Sequence, residues 1–526
     1  MLNSKIMKTI RNYILIGITL LSAVGCDKDF VKINTNPLAV NTLDPSFLLA
    51  GAQRSHLGTW YGEHVIVQQF VVPYNEGATL GFSLNENIDG MSNPKWDQSY
   101  PQVRNINQAM ELLGADTERV NLMSMLRIWK AQIFMGLVDD YGDVPYFNAG
   151  KGLVRETKYF YPEYDDDAVI YQDLYTELTG AIAALRPDAD FVSADLFYGT
   201  NAQVNKTTTA ADQVAKWKKL GNSLLLRLGM RYSKVDTDKA RSIVEEAFAG
   251  GVMTSNADNA YVKYDGTVNV HLDNNALRNF SQYNYAAEPF VNQLKSTNDP
   301  RGKFIVAMFS NPGAVGNESN PDTDLTHQFG VPIGVNDAKL KLDPYRKANP
   351  KGGLNYSQMN VWRIASPAAP EFYVTYAQTS LLLAEAAQRG WVSGSAQTYY
   401  EDAIRADMNV YQYYPGSTAV PEAEILAYLA EPGVVFNPNN EDAFRLINTQ
   451  YWLVNIRNGT EAFANFRRSG YPALSPNLFN NKLNGGFVRR LSYPDKEGSA
   501  NSANYTAASL AIGGDNLMSR VFWDIP

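Results

Sequence analysis

The sequence predicts a mostly α-helical fold: a superhelix of tetratricopeptide-like helix pairs that carries long loop insertions and a few short strands. Three observations lead there. Apolar residues recur at helical spacing over long stretches joined by short polar turns. One block, about residues 257–369, loses that spacing and fills with Asn, Gly, Pro, Tyr and Asp. Finally, 45% hydrophobic and 19% charged residues in a 526-residue chain supply enough apolar surface for a large core. Such a length exceeds the usual single domain, but helix pairs that pack only on their neighbours escape that limit.

The stretch that organises the rest runs from Leu122 to Tyr146. Leu122, Leu126, Trp129, Ile133 and Leu137 form one apolar stripe, on a helix of about five turns that needs a partner surface. The helix stops at Asp139-Asp140-Tyr141-Gly142, where Gly142 can take a positive φ, and Pro145 forbids continuation. In chain order, residues 46–72 read as one long helix broken before Pro73, and 74–94 as a loop rich in Gly, Asn and Ser. Residues 95–113 pair with the central helix. Asp165 to Asp167 precede a helix over 168–185, where they favour the positive end of its dipole. Asp212 is read as the cap of a helix bearing Val214, Trp217, Leu220, Leu224 and Leu228, and Thr237 or Asp238 opens its partner, which ends at Gly250-Gly251. Pro370-Glu371 opens a helix to Gly390, residues 395–411 give its partner, and a last helix over 441–457 leads into the Arg467-Arg468 segment, after which the tail is irregular.

The N-terminus reads differently. Lys5, Lys8 and Arg11 precede the apolar run from Tyr13 to Leu21, too short to span a bilayer but right for a signal sequence. Ala23, Val24 and Gly25 then lead to Cys26, the only cysteine. This is a lipobox pattern, although Ala23 stands where leucine is commoner. It predicts a signal peptide over 1–25, a lipid anchor at Cys26 with a polar tether to residue 45, and a body over 46–526. Acylation accounts for the lone thiol, and several acyl chains on one cysteine anchor stably where one would not. The net charge of −8 excludes a nucleic-acid partner, which demands clustered Lys and Arg. It also excludes simple attraction to anionic lipid, so membrane attachment falls to Cys26.

Six stretches in order resemble the SusD/RagB family of outer-membrane nutrient-binding lipoproteins. They are the start ending in Cys26-Asp27-Lys28-Asp29-Phe30; Ile33-Asn34-Thr35-Asn36-Pro37; Trp96-Asp97-Gln98-Ser99-Tyr100; the helix closing in Tyr141-Gly142-Asp143-Val144-Pro145-Tyr146; Tyr376 to Ala387; and Glu461 to Pro472, with Arg489 to Asn504 continuing the likeness. The literal tetratricopeptide consensus is absent, so helix pairing and this resemblance carry the architecture. The resemblance implies a lid on a SusC-like TonB-dependent outer-membrane barrel that catches a polysaccharide or oligosaccharide and passes it inward unchanged, on the outer face of the membrane. Some members handle peptides. The shared motifs are framework and bring no ligand residues with them.

Catalytic motifs are missing. There are four histidines, with no His-Glu-x-x-His, no Gly-x-Ser-x-Gly and no Walker loop, so the sequence predicts no enzyme, no cofactor and no metal site. Asp139-Asp140 and Asp165 to Asp167 stand at helix ends, where capping and solvation account for them; Asp143 ties down its turn; Arg467-Arg468 after Glu461 reads as an internal ion pair. A lipoprotein glycoside hydrolase, which needs two carboxylates converging on one bond, stays as an alternative. Aromatics are abundant, with 31 Tyr, 23 Phe and 8 Trp. Those at helical spacing belong to the core, but rings in Asn- and Gly-rich loops suit sugars, whose C–H faces lie on a ring while hydroxyls meet its polar neighbours. Tyr74, Tyr283, Tyr285 and Trp362 are therefore the candidate ligand-binding residues, with loop anchoring as the competing role for each.

Overall fold

The computed structural model describes residues 43–526 except 55–57, 74–88, 201, 203–204, 282–283, 348–355 and 480. Cys26 and its tether, Tyr74 and Tyr283 thus lie outside the described residues. The chain from Pro45 to Pro526 forms one unit.

At its centre lies the helix Val120–Tyr141. The predicted stripe is in place, with Leu122, Leu126, Trp129, Ile133 and Leu137 no more than 3% exposed, but Met125, Ile128, Phe134 and Val138 on its other faces are buried as deeply. A helix apolar on all sides belongs inside a protein. Pro45–Ala52, Asp89–Leu113, Asp167–Ala184, Ala210–Arg231 and Gly459–Ser469 surround it. Antiparallel pairs build outward as expected, Ala210–Arg231 with Thr237–Gly250 and Tyr376–Gln388 with Ala396–Val410. Where the helix over 210–231 crosses its neighbour, Gly221 lets the chains approach so closely that a Cβ would stand 2.6 Å from Ile182. Among the described residues no helix is long and apolar enough to cross a membrane.

Several boundaries follow local capping chemistry. Asp166 accepts from the Val169 N–H at 3.0 Å and starts the helix that ends at Ala184. Thr209, not Asp212, caps the next one. Its hydroxyl oxygen accepts from the Asp212 N–H at 3.1 Å, while the hydroxyl donates to the Asp212 carboxylate at 2.7 Å. At the central helix, Gly142 takes φ +74° as anticipated, and Asp143 accepts from the Asp167 N–H at 3.0 Å, which fastens the turn to the following helix.

Four further expectations are corrected. Residues 46–72 are not one helix: it stops after Ala52, and Gly58, at φ +92°, has no room for a Cβ, which would lie 2.9 Å from the Glu63 carboxylate and the Thr460 nitrogen. Glu371 does not open a helix. Glu371–Val374 is strand β6, rich in aromatic and branched side chains, paired antiparallel with β2, Ala260–Val262. The helix starts at Tyr376 behind a capping box in which Thr375 and Gln378 bond reciprocally. The segment after residue 457 contains the helix Gly459–Ser469, closed by Gly470 at φ +80°, and short helices occur at Glu497–Ala500 and Ser502–Ala511. Finally, Asp139 and Asp140 are not solvated. Both are buried, and Asp139 pairs with Arg231 at 3.1 Å, which also holds Glu461 at 2.7 Å.

The insertion block carries the remaining strands except β1. β3, Tyr285–Ala286, pairs with β1, Phe70–Val71, and β4, Val306–Ala307, with β5, Gln358–Met359, all antiparallel. A small second core of Val71, Ala287, Val331, Leu340 and Tyr356 consolidates this region.

Candidate functional site

Where the insertion block leaves the helical frame, a polar recess forms. β2 ends at Val262, and Asp265 then winds the chain on itself: one carboxylate oxygen accepts the N–H groups of Thr267 at 2.7 Å, Val268 at 2.8 Å and Asn269 at 3.0 Å. These bonds hold its carboxyl well below the usual range. The loop is clamped further on. The His271 N–H donates to the Pro367 carbonyl at 2.9 Å, and Asn274, on the helix Leu272–Asn279, donates to the Ser366 carbonyl at 3.0 Å and accepts the Trp60 indole N–H at 2.9 Å. Frame and insertion are thereby tied together around a cavity of about 440 Å³ lined by Arg54, Gln98, Tyr264, Asn269, Asp273 and Glu371, among others.

The ring of Tyr264 is half-buried, and its hydroxyl donates to Glu371 at 2.9 Å; Tyr373 donates to the same oxygen at 3.2 Å. Arg54 donates to the Asn269 side-chain carbonyl at 3.1 Å, and its guanidinium lies 5.9 Å from the centre of the Tyr264 ring. The lip is apolar, with Val268 88% and Leu272 72% exposed. Behind the recess a smaller void of about 30 Å³ is bounded by Trp60, His64, Asn274 and Arg457. There His64 stacks on Trp60 with ring centres 4.7 Å apart and bonds to Gln69 at 2.6 Å.

Burial sets the charge of these groups. It pushes the Asp273 carboxyl up to about 8, with the negative Glu371 and Glu63 adding to the effect, and Glu371 up to about 7 against the hydrogen bonds from Tyr264 and Tyr373. His64 and His271 are lowered to about 4, also by burial, and are neutral at physiological pH. Deeper still, burial raises Glu63 and Asp140 and lowers Lys95, while their opposite charges oppose it. The result is a recess in which a guanidinium, amides and largely protonated carboxyls stand beside an aromatic ring, which suits a polyhydroxylated ligand whose groups both donate and accept.

Neither Tyr285 nor Trp362 lines this cavity. Tyr285 lies in β3 opposite Val71 and packs half-buried on the second core. Trp362 donates its indole N–H to the Val315 carbonyl at 3.1 Å, and the Arg278 guanidinium covers its ring at 4.4 Å. Both have the contacts of loop anchors. Tyr264, Asp273, Arg54 and Glu371, which line the recess, are not among the residues that the sequence singles out for ligand binding. Tyr264-Asp265-Gly266 with Asn269 shows the same ring-and-amide pattern as Tyr74-Asn75-Glu76 and was available as a signal; Arg54 and Glu371, far away along the chain, had none.

Carboxylate oxygens of Asp143, Asp166 and Asp167 lie within 4.8 Å of one another, but each is engaged in the frame, Asp166 as a helix cap and Asp167 as acceptor of the Phe522 N–H at 2.8 Å. The expected ion pairs around Arg467-Arg468 are present with other partners. Arg468 binds Glu385 at 2.6 Å, Glu461 binds Arg231, and Arg467 donates to the carbonyls of Asp139 and Arg489.

The family described as SusD-like_2, "Starch-binding associating with outer membrane", matches residues 37–494. No curated protein matches the chain. Among solved structures, a SusD-like protein described as Bacteroidetes AC2a is 25% identical at a TM-score of 0.75, and one described as a chitin-binding protein is 26% identical at 0.74; each alignment covers 92% of this chain and 100% of the other. A SusD homologue from Bacteroides fragilis NCTC 9343 shares the fold at 22% identity and a TM-score of 0.71, over 92% of this chain and 100% of that one. The chain therefore belongs to the SusD-like family of nutrient-binding proteins that associate with the outer membrane.

Proposed function

We propose that the chain is a surface lipoprotein, anchored through Cys26 and facing the exterior, that binds glycan in the recess around Tyr264 and delivers it unchanged to a SusC-like TonB-dependent barrel. One observation carries the binding site: a half-buried ring set among Arg54, Asn269, Asp273 and Glu371 in a cavity of about 440 Å³. The description of the family as starch-binding and the likeness to a chitin-binding protein support glycan over peptide. A sugar face lies on Tyr264, and its hydroxyls exchange hydrogen bonds with the amide, the guanidinium and the protonated Asp273.

The paired carboxyls favour one competing reading, a glycoside hydrolase. That chemistry needs two groups driven apart, one protonated and one ionised. Asp273 and Glu371 are both driven upward, so binding without turnover fits better. Of the four rings singled out from sequence, Tyr74 and Tyr283 stay proposed as ligand contacts, whereas the contacts of Tyr285 and Trp362 support anchoring.

Retention on immobilised starch, chitin and other polysaccharides tests the site. Tyr264→Ala should weaken retention roughly 30-fold, about 2 kcal/mol; unchanged retention on every polymer the parent binds removes the recess. Release of new reducing ends would instead establish hydrolysis. Labelled fatty acid should enter the parent and not Cys26→Ala, and a barrel should co-purify with the parent from outer membranes.

A further inference from the structure

A second cavity lies elsewhere on the unit. After the central helix the turn through Pro145 and Gly150, the short helix Thr157–Phe160, the start of the helix Asp89–Leu113 and the tail segment from Lys496 to Asn501 line an open cavity of about 370 Å³. One wall is aromatic. Tyr100 is fixed by the hydrogen bond from its hydroxyl to the Pro145 carbonyl at 3.0 Å, and Trp96 backs it with ring centres 4.8 Å apart. Tyr159 and Phe160 complete this side, and Phe160 is 54% exposed. Leu153 and Tyr161, near Phe160 in the chain, are also exposed, at 59% and 56%. Exposed apolar residues scattered singly need no explanation, but an exposed ring that lines a cavity beside other aromatics does.

The rest of the lining is polar and set in advance. Asp97 pairs with Lys496, Glu497 accepts from the Tyr164 hydroxyl at 2.8 Å, and the buried Asn501 amide donates to the Pro162 carbonyl at 2.7 Å. Carboxylates keep acceptor capacity beyond one such bond. The volume falls within the roughly 300–1,000 Å³ of small-ligand sites.

We propose that this cavity is a second saccharide subsite, separate from the recess around Tyr264. It takes the ligand class from the function proposed above, but none of its residues. A sugar ring presents C–H faces to Phe160 and Tyr159 while its hydroxyls meet Asp97, Lys496 and Glu497. Other occupants fit worse. A hydrocarbon chain would strip water from three charged groups and return nothing. A peptide that binds by adding a strand needs an open sheet edge, and no described strand lines the cavity.

Calorimetric titration of the detergent-solubilised full chain with maltohexaose and with chitohexaose tests this, using Phe160→Ala, Asp97→Asn and, in the recess, Tyr264→Ala. Phe160 and Asp97 are exposed, so melting curves should match the parent. The parent should show two binding events with at least one of these sugars. Phe160→Ala should weaken one of them roughly 30-fold, Asp97→Asn should weaken the same one, and Tyr264→Ala should weaken only the other. If neither Phe160→Ala nor Asp97→Asn changes an isotherm that Tyr264→Ala abolishes, the subsite is refuted and the recess stands. If only the Phe160 and Asp97 variants matter, the subsite stands and the recess is refuted. A parent that binds neither sugar refutes both.

Discussion

Arg468→Met should be among the most damaging single substitutions in the chain. Arg468 and Glu385 are 1% and 2% exposed at their side chains, and the guanidinium reaches both carboxylate oxygens, at 2.8 and 2.6 Å, as well as Asn465 at 2.7 Å and Asn448 at 3.1 Å. Methionine fills much of the space but leaves a buried carboxylate facing two amide oxygens. Breaking a buried pair from one side costs roughly 3–5 kcal/mol. The half-buried Arg389, which still donates to Glu385 at 2.8 Å, places the expectation near the lower end, about 3 kcal/mol. Arg468→Met with Glu385→Leu removes the orphaned charge as well, so the double variant should lose less than the sum of the singles. Urea unfolding followed by tryptophan fluorescence measures all three. The pair also has a pH signature. Burial works to raise Glu385, but Arg468 and Arg389 override it and hold the carboxyl below its ordinary 4.5. Its stabilisation is therefore in force above about pH 4.5 and is lost as the pH falls further. A single variant costing under about 1 kcal/mol, or a double variant equal to the sum of the singles, would refute this account of the buried network.

Further expectations concern the turn, the recess and a loop. Gly142→Val should lower the melting temperature while the folded fraction binds normally, since a Cβ meets only ordinary contacts there, at 3.6 Å or more, and the cost of about 1 kcal/mol or more comes from φ +74°; an unchanged melting curve would contradict it. Asp273 has a folded pKa raised to about 8 from 3.8, so it favours the folded state fully below about pH 4 and ceases to do so as the pH climbs to 8. The melting advantage of Asp273→Asn over the parent should accordingly grow across that window and level off above it, and a constant difference would place the carboxyl in solvent. Trp362→Ala should cost about 2 kcal/mol of stability, because the ring is half-buried, and should leave retention on polysaccharide unchanged; weaker retention without destabilisation would show it to be a ligand contact.

What the sequence determined by itself was the frame. Helical spacing, turn glycines and cap residues are local signals, and helices such as Val120–Tyr141, Thr237–Gly250 and Ala396–Val410 lie within a residue or two of where those signals put them. The shared motifs gave the family for the same reason, and the structure shows what they hold: Glu385 in one motif and Arg468 in another meet as a buried pair. Where local signals conflict, tertiary pairing decided. Glu371–Val374 has strand-forming Phe372, Tyr373 and Val374, but four residues beside the helix beginning at Tyr376 are too short a signal to decide, and pairing with β2 fixes it as a strand. Burial decided the charges. Asp139-Asp140 looks like a solvated helix end until Arg231, Tyr171 and Trp523 are folded over Asp139. The recess lay furthest beyond the sequence. Arg54, Tyr264, Asp273 and Glu371 come from four elements spread over more than half of the chain, and no spacing rule links residues whose only relation is that the loop clamped by His271 and Asn274 brings them to one cavity.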